Sequence, residues 1–109
     1  MKTFPIKTGT GMVDAEQLAT FAHYVQGGQF RFVVTRLHPH LPIMVTHRAS
    51  TKAVCEVTPM GMMSANYDYA AAGRAALAKL IARVGEARVR SVLSSAEKPP
   101  AQLSKSATL

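Results

Sequence analysis

A chain of 109 residues, 48% hydrophobic and 17% charged, fits one folded domain with one core and excludes a disordered polyelectrolyte. Lys and Arg outnumber Asp and Glu by 13 to 6, a formal net charge of +7 that favours polyanionic partners. The single cysteine, Cys55, leaves no intramolecular disulfide, and no apolar run approaches the ~20 residues of a membrane span, so a cytoplasmic protein without a membrane partner is expected.

Residues 1–12 hold Pro5 and the run Thr8-Gly9-Thr10-Gly11 and read as an extended lead-in. A phosphate loop would need a third glycine and a Lys-Ser/Thr ending, and both are missing. Asp14 with Gln17 three residues on has the form of a helix N-cap and capping box, with Val13 placed to staple onto Leu18. Leu18, Phe21, Ala22 and Val25 follow the i, i+3, i+4, i+7 spacing, and Gly27-Gly28 supplies a stop. The spacing therefore predicts a helix over 14–26.

Three segments rich in β-branched and aromatic residues follow: Phe30 to Leu37, Ile43 to Arg48 and Lys52 to Thr58. His38-Pro39-His40-Leu41-Pro42 and Arg48 to Lys52 are the connections, which predicts a three-stranded antiparallel ribbon. Alternation assigns Phe30, Phe32, Val34, Ile43, Val45, Ala53, Cys55 and Val57 to the core. Pro59 to Ser64 reads as a flexible loop in which Met60, Met62 and Met63 offer adaptable apolar surface for a partner. Asn66 to Val84 is the main predicted helix, with Leu77, Leu80, Ile81 and Val84 inward and the small Ala70 and Gly73 allowing a close approach to the sheet. Gly85 breaks it, and Glu86 to Ala96 is a last short helix with Val89, Val92 and Leu93 inward. The segment 97–109, with Pro99-Pro100, reads as a disordered tail.

The expectation is one α+β domain over 13–96 in the order α-β-β-β-α-α, helices on one face of a three-stranded sheet. Helix, three strands and helix over 14–84 resembles a double-stranded-RNA-binding domain in order and length. That family holds phosphates with lysines at the start of its second helix, where this chain has Asn66, Tyr67, Asp68 and Tyr69, so those roles do not carry over. Three strands before an alanine-rich helix is also similar to the arm-binding domains of phage integrases.

His23, His38, His40, His47 and Cys55 are metal-ligand types, yet their spacing matches no standard zinc framework, so no cofactor is expected. Cys55 with His47 is the one nucleophile–base pair worth naming, and a cysteine on a central strand is ordinarily inert packing. No paired carboxylates stand out, so the sequence points away from an enzyme. The basic residues remain: Arg31, Arg36, Arg48 and Lys52 on the ribbon, with Arg74, Lys79 and Arg83 on the helix, as a grip on a nucleic-acid backbone. The competing expectation is an interaction or inhibitor module, such as a mobile-element accessory protein, that docks through a sheet edge and the methionine loop and can pair with itself as a homodimer.

Overall fold

Five strands precede the helices, where three were expected. The structure is a computed structural model that describes residues 2–97. Its elements are β1 (Thr3–Thr8), β2 (Gly11–Val25), β3 (Gly28–Arg36), β4 (Ile43–His47), β5 (Ala53–Val57), α1 (Pro59–Ser64), α2 (Tyr69–Val84) and α3 (Glu86–Glu97). The strands form one antiparallel sheet in the order β1-β2-β3-β4-β5, each paired with its neighbour in sequence. The class is α+β as expected, but the order is β-β-β-β-β-α-α-α. With a strand where the first helix was expected, the similarity in order to double-stranded-RNA-binding domains falls away, and with five strands and the short α1 ahead of α2 so does that to integrase arm-binding domains.

The predicted helix over 14–26 is the long strand β2, and the reason lies in the spacing itself. Phe21 and Val25 are four apart, an even step that serves both a helix face and a strand face. The odd step from Leu18 to Phe21 is what favoured a helix. In the sheet a bulge produces it: the register with β3 shifts between Gln17 and Ala19, so the consecutive residues Leu18 and Ala19 both pack against the core. Asp14 caps no helix and lies opposite Pro5 of β1. Gly27-Gly28 stops no helix either. Gln26 (φ 50°) and Gly27 (φ 82°) are the two central residues of a tight β2–β3 hairpin, both in the left-handed region that such a turn demands. The lead-in 1–12 is likewise a hairpin, with Gly9 and Thr10 at its tip between paired Thr8 and Gly11.

One face of the sheet meets the helices. Phe21, Val25, Phe30, Phe32, Val34, Val45 and Val57 form its buried surface, closed by Ala72 and Leu77 of α2 and Val89 and Leu93 of α3. Of the predicted core set, Ile43 and Cys55 are only half-buried, and Ala53 is exposed where a second irregularity, between Val45 and Thr46, shifts the start of β5. Val84 and Val92, expected inward, are exposed. Gly73 sits where α2 lies directly on Val34 and Phe21 of the sheet.

The segment Pro59 to Ser64 is a short helix and not a loop. Thr58 caps it by accepting the Gly61 N–H at 3.0 Å, and Met62 is buried while Met60 and Met63 stand 75% and 60% exposed. The predicted start of the main helix at Asn66 is also corrected: Asn66 and Tyr67 take positive φ and turn the chain. Asp68 then caps α2, accepting the Ala71 N–H at 3.1 Å. Gly85, at φ 106°, separates α2 from α3 as expected. The predicted tail over 97–109 lies outside the described residues apart from Glu97, which closes α3.

The second face is partly covered by the N-terminal hairpin. Beyond the bulge, β2 bends over the sheet and carries β1 with it. The Lys7 N–H then reaches the Thr51 carbonyl of the β4–β5 turn at 3.0 Å, and the Gln17 N–H bonds the Lys2 carbonyl at 2.9 Å. Ala15, Val33, Thr35 and Thr46 are buried on this side, and the Thr35 and Thr46 hydroxyls satisfy each other at 3.0 Å. The rest of the face, between β1 and the outer ends of β2, β3 and β4, stays open.

Candidate functional site

The open part of the second face is built by strand alternation. Antiparallel partners share a face, so Ala22 with Arg31 and Tyr24 with Gln29 stand opposite the core residues Phe21 and Phe30 and the half-buried His23. β4 continues the row, where the Arg48 N–H bonds the Arg31 carbonyl at 3.0 Å and makes the two arginines cross-strand neighbours. Both are exposed, as are Tyr24 and Gln29, and Tyr24 is 65% accessible. Two shallow clefts flank the pair. One, of about 290 Å³, is bordered by Phe4, Gln17 and Thr20, and the other, of about 420 Å³, by Gln29, Ala49 and Glu97.

Like charges directly opposed on neighbouring strands repel. Among the described residues the carboxylates in contact with basic side chains are Glu16 with Arg36 at 2.9 Å and Glu97 with His47 at 2.7 Å, so neither Arg31 nor Arg48 is neutralised by such a pair. The open face therefore presents two adjacent guanidinium groups with an aromatic ring on the same surface.

The remaining basic residues named from the sequence do not join this pair. Arg36 lies at the far end of β3, bound to Glu16 through both Nε (3.3 Å) and Nη2 (2.9 Å). Lys52 lies in the β4–β5 turn beside an apolar cleft of about 240 Å³ under Leu80, Val84 and Val89. Arg74 caps the core from the helix side, its guanidinium 5.4 Å from the centre of the Phe21 ring. Lys79 and Arg83 line a groove between α2 and β5. Seven bases expected on one grip are thus divided between opposite sides of the sheet. Tyr24 escaped the sequence reading because a helix over 14–26 hides which residues share the face of Arg31.

His47 and Cys55 are not partners. His47 lies opposite Phe32 and Cys55 opposite Val45, and no group of three or more potential metal ligands occurs among the described residues. His47 is 1% exposed, its ring 5.9 Å from Phe32 and 6.2 Å from Phe30. Its Nε2 lies 2.7 Å from the Glu97 carboxylate and its Nδ1 2.8 Å from the Ser50 hydroxyl. A carboxylate only accepts, so Nε2–H donates to Glu97, and in the neutral ring Nδ1 accepts from Ser50. Ser50 Oγ also accepts the Lys52 N–H at 3.3 Å. With both ring nitrogens committed, the chain Ser50–His47–Glu97 clasps the β4–β5 hairpin to the end of α3. Glu97→Ala removes the acceptor of a buried N–H. It should cost about 1 kcal/mol in urea unfolding, a modest figure because Glu97 is 37% exposed and water can take its place. Nothing local marks Glu97 as a partner of a residue fifty positions earlier.

Cys55 is a free thiol held neutral. Burial pushes its pKa up to about 11, against the opposing pull of the Arg83 charge. The thiolate is the reactive form, so iodoacetamide at about pH 8 should alkylate Cys55 in the folded protein about a hundredfold more slowly than in the urea-unfolded chain. Equal rates would show that the side chain is not desolvated.

Comparison of the chain with protein-family models, with curated proteins and with solved structures yields no significant match.

Proposed function

We propose that this protein binds single-stranded nucleic acid on the open face of its sheet, with Arg31 and Arg48 holding the phosphate backbone and Tyr24 stacking on a base. The observation that carries the reading is the Arg31–Arg48 pair, two exposed cross-strand neighbours that an anion would relieve of mutual repulsion. Tyr24 stands on the same face, two residues along β2 from the partner of Arg31, about 7 Å away along the strand. Cation and ring at that spacing favour a splayed single strand over a stacked duplex. The net charge of +7 adds long-range attraction for any polyanion. A cytoplasmic site of action accords with a single free cysteine.

Fluorescence anisotropy with labelled single-stranded and duplex oligonucleotides across a salt series tests this. Tighter binding of the single strand, weakening steeply as salt rises, supports the reading. No binding at low salt, or equal binding by a Tyr24→Ala/Arg31→Ala/Arg48→Ala variant, sinks it. Docking of a protein at a sheet edge, the other reading of the sequence, would be a separate property of the opposite side of the molecule.

A further inference from the structure

The sheet has two edge strands, β1 and β5. β5 pairs with β4 alone among the described residues, leaving its outer backbone groups without a strand partner. α2 runs beside this edge and leaves a groove of about 360 Å³. Its floor on the helix side is Ala72, Ala75 and Ala76, which are short enough to admit a backbone, and Val54 and Glu56 border it on the strand side. The one acid, Glu56, shares the second sheet face with its partner Met44 and not the helix face of Lys79 and Arg83. Lys79 and Arg83 form its rim and both are exposed. Four residues apart on a helix, they are spaced about 6 Å along the axis. Alternate residues of an extended strand are spaced about 6.7 Å and point to one side. A strand laid along β5 would thus bring every second side chain past Lys79 and then Arg83 at nearly matching intervals.

We propose that the β5–α2 groove receives an extended peptide segment of another protein, added to the sheet next to β5, with carboxylates at two alternate positions paired to Lys79 and Arg83. Backbone hydrogen bonds to β5 supply the affinity that any strand can use, and the two bases select an acidic sequence. The same charges argue against a second copy of this chain. Two β5 edges paired about a two-fold axis would set one Lys79–Arg83 rim against another, in a chain of net charge +7.

A random short-peptide display library selected on the full chain tests the assignment. Selected peptides should carry Asp or Glu at alternate positions. A Lys79→Gln/Arg83→Gln chain should bind them about tenfold or more weakly, while Arg31→Gln/Arg48→Gln leaves binding unchanged. Both pairs are exposed, so neither substitution threatens folding. Hydrogen exchange with one selected peptide should show new protection at the amides of Val54 to Val57. The proposal is overturned by a selection without acidic alternation, by binding that survives loss of Lys79 and Arg83, or by protection on the Arg31–Arg48 face instead. Protection of β5 that grows with protein concentration in the absence of peptide would also overturn it, in favour of self-pairing.

Discussion

Gly73→Val should cost about 3 kcal/mol or more and leave little folded protein at moderate urea. A Cβ at this position would stand 2.8 Å from Cγ2 of Val34 and 2.9 Å from Cε1 of Phe21. Neither neighbour can retreat. Val34 is fully buried, and Phe21 is stacked on Phe32 at 5.4 Å with Arg74 over its ring. A glycine inside a helix ordinarily forfeits about 1 kcal/mol against alanine. Gly73→Ala should therefore recover that propensity and still lose overall, by about 1–2 kcal/mol, because two close-packed side chains must move. Valine adds branching to the same clash. The check is the urea midpoint at unchanged slope. An alanine variant more stable than the parent would mean that α2 can slide away from the sheet.

The largest functional effect belongs to the open face. Reversing both charges, as Arg31→Glu/Arg48→Glu, should lower affinity for single-stranded oligonucleotides on the order of a hundredfold at low salt and reduce the salt slope by about 2. Each arginine removed is one fewer phosphate contact, and each glutamate repels the backbone. Reversal of Lys79 and Arg83 is the matched control: the same change in net charge on the other side of the sheet. It should leave most of the binding intact. Equal losses from the two variants would mean that the protein attracts polyanions by overall charge and has no site at Arg31–Arg48. Because both arginines are exposed, unfolding should be unaffected, which a thermal melt verifies.

How much of this was legible in the sequence depends on which interactions are local. β3, β4 and β5 announce themselves because each has β-branched residues, joined on β3 by Phe30 and Phe32, bounded by prolines or polar turns, and α2 and α3 because Leu77, Leu80, Val89 and Leu93 keep a helical spacing broken by Gly85. The close approach at Gly73 was readable from its size. β2 was not, since Phe21 and Val25 satisfy either period and the bulge at Leu18 imitates the step that separates them. That single misreading had two further costs. It hid β1, which has nothing to pair with unless β2 is a strand, and it hid Tyr24 from the face of Arg31. The arginine pair itself follows from alternation on β3 and the position of Arg48 at the end of β4. The Ser50–His47–Glu97 clasp joins residues fifty apart in sequence, a relation that only the folded chain creates.

The sheet is a meander in which every strand pairs with its immediate predecessor. Contacts between chain neighbours close small loops, so the hairpins can zip in order as the chain emerges, at little entropic cost. The helices come last in the chain, and until α2 arrives the row of Phe21, Phe30, Phe32 and Val45 has no cover. A nascent sheet in that state offers sticky side chains on one surface and an unprotected edge at β5 at the same moment. The order of synthesis thus creates an interval in which the protein is most vulnerable to aggregation, and Leu77 entering beneath the strands ends it.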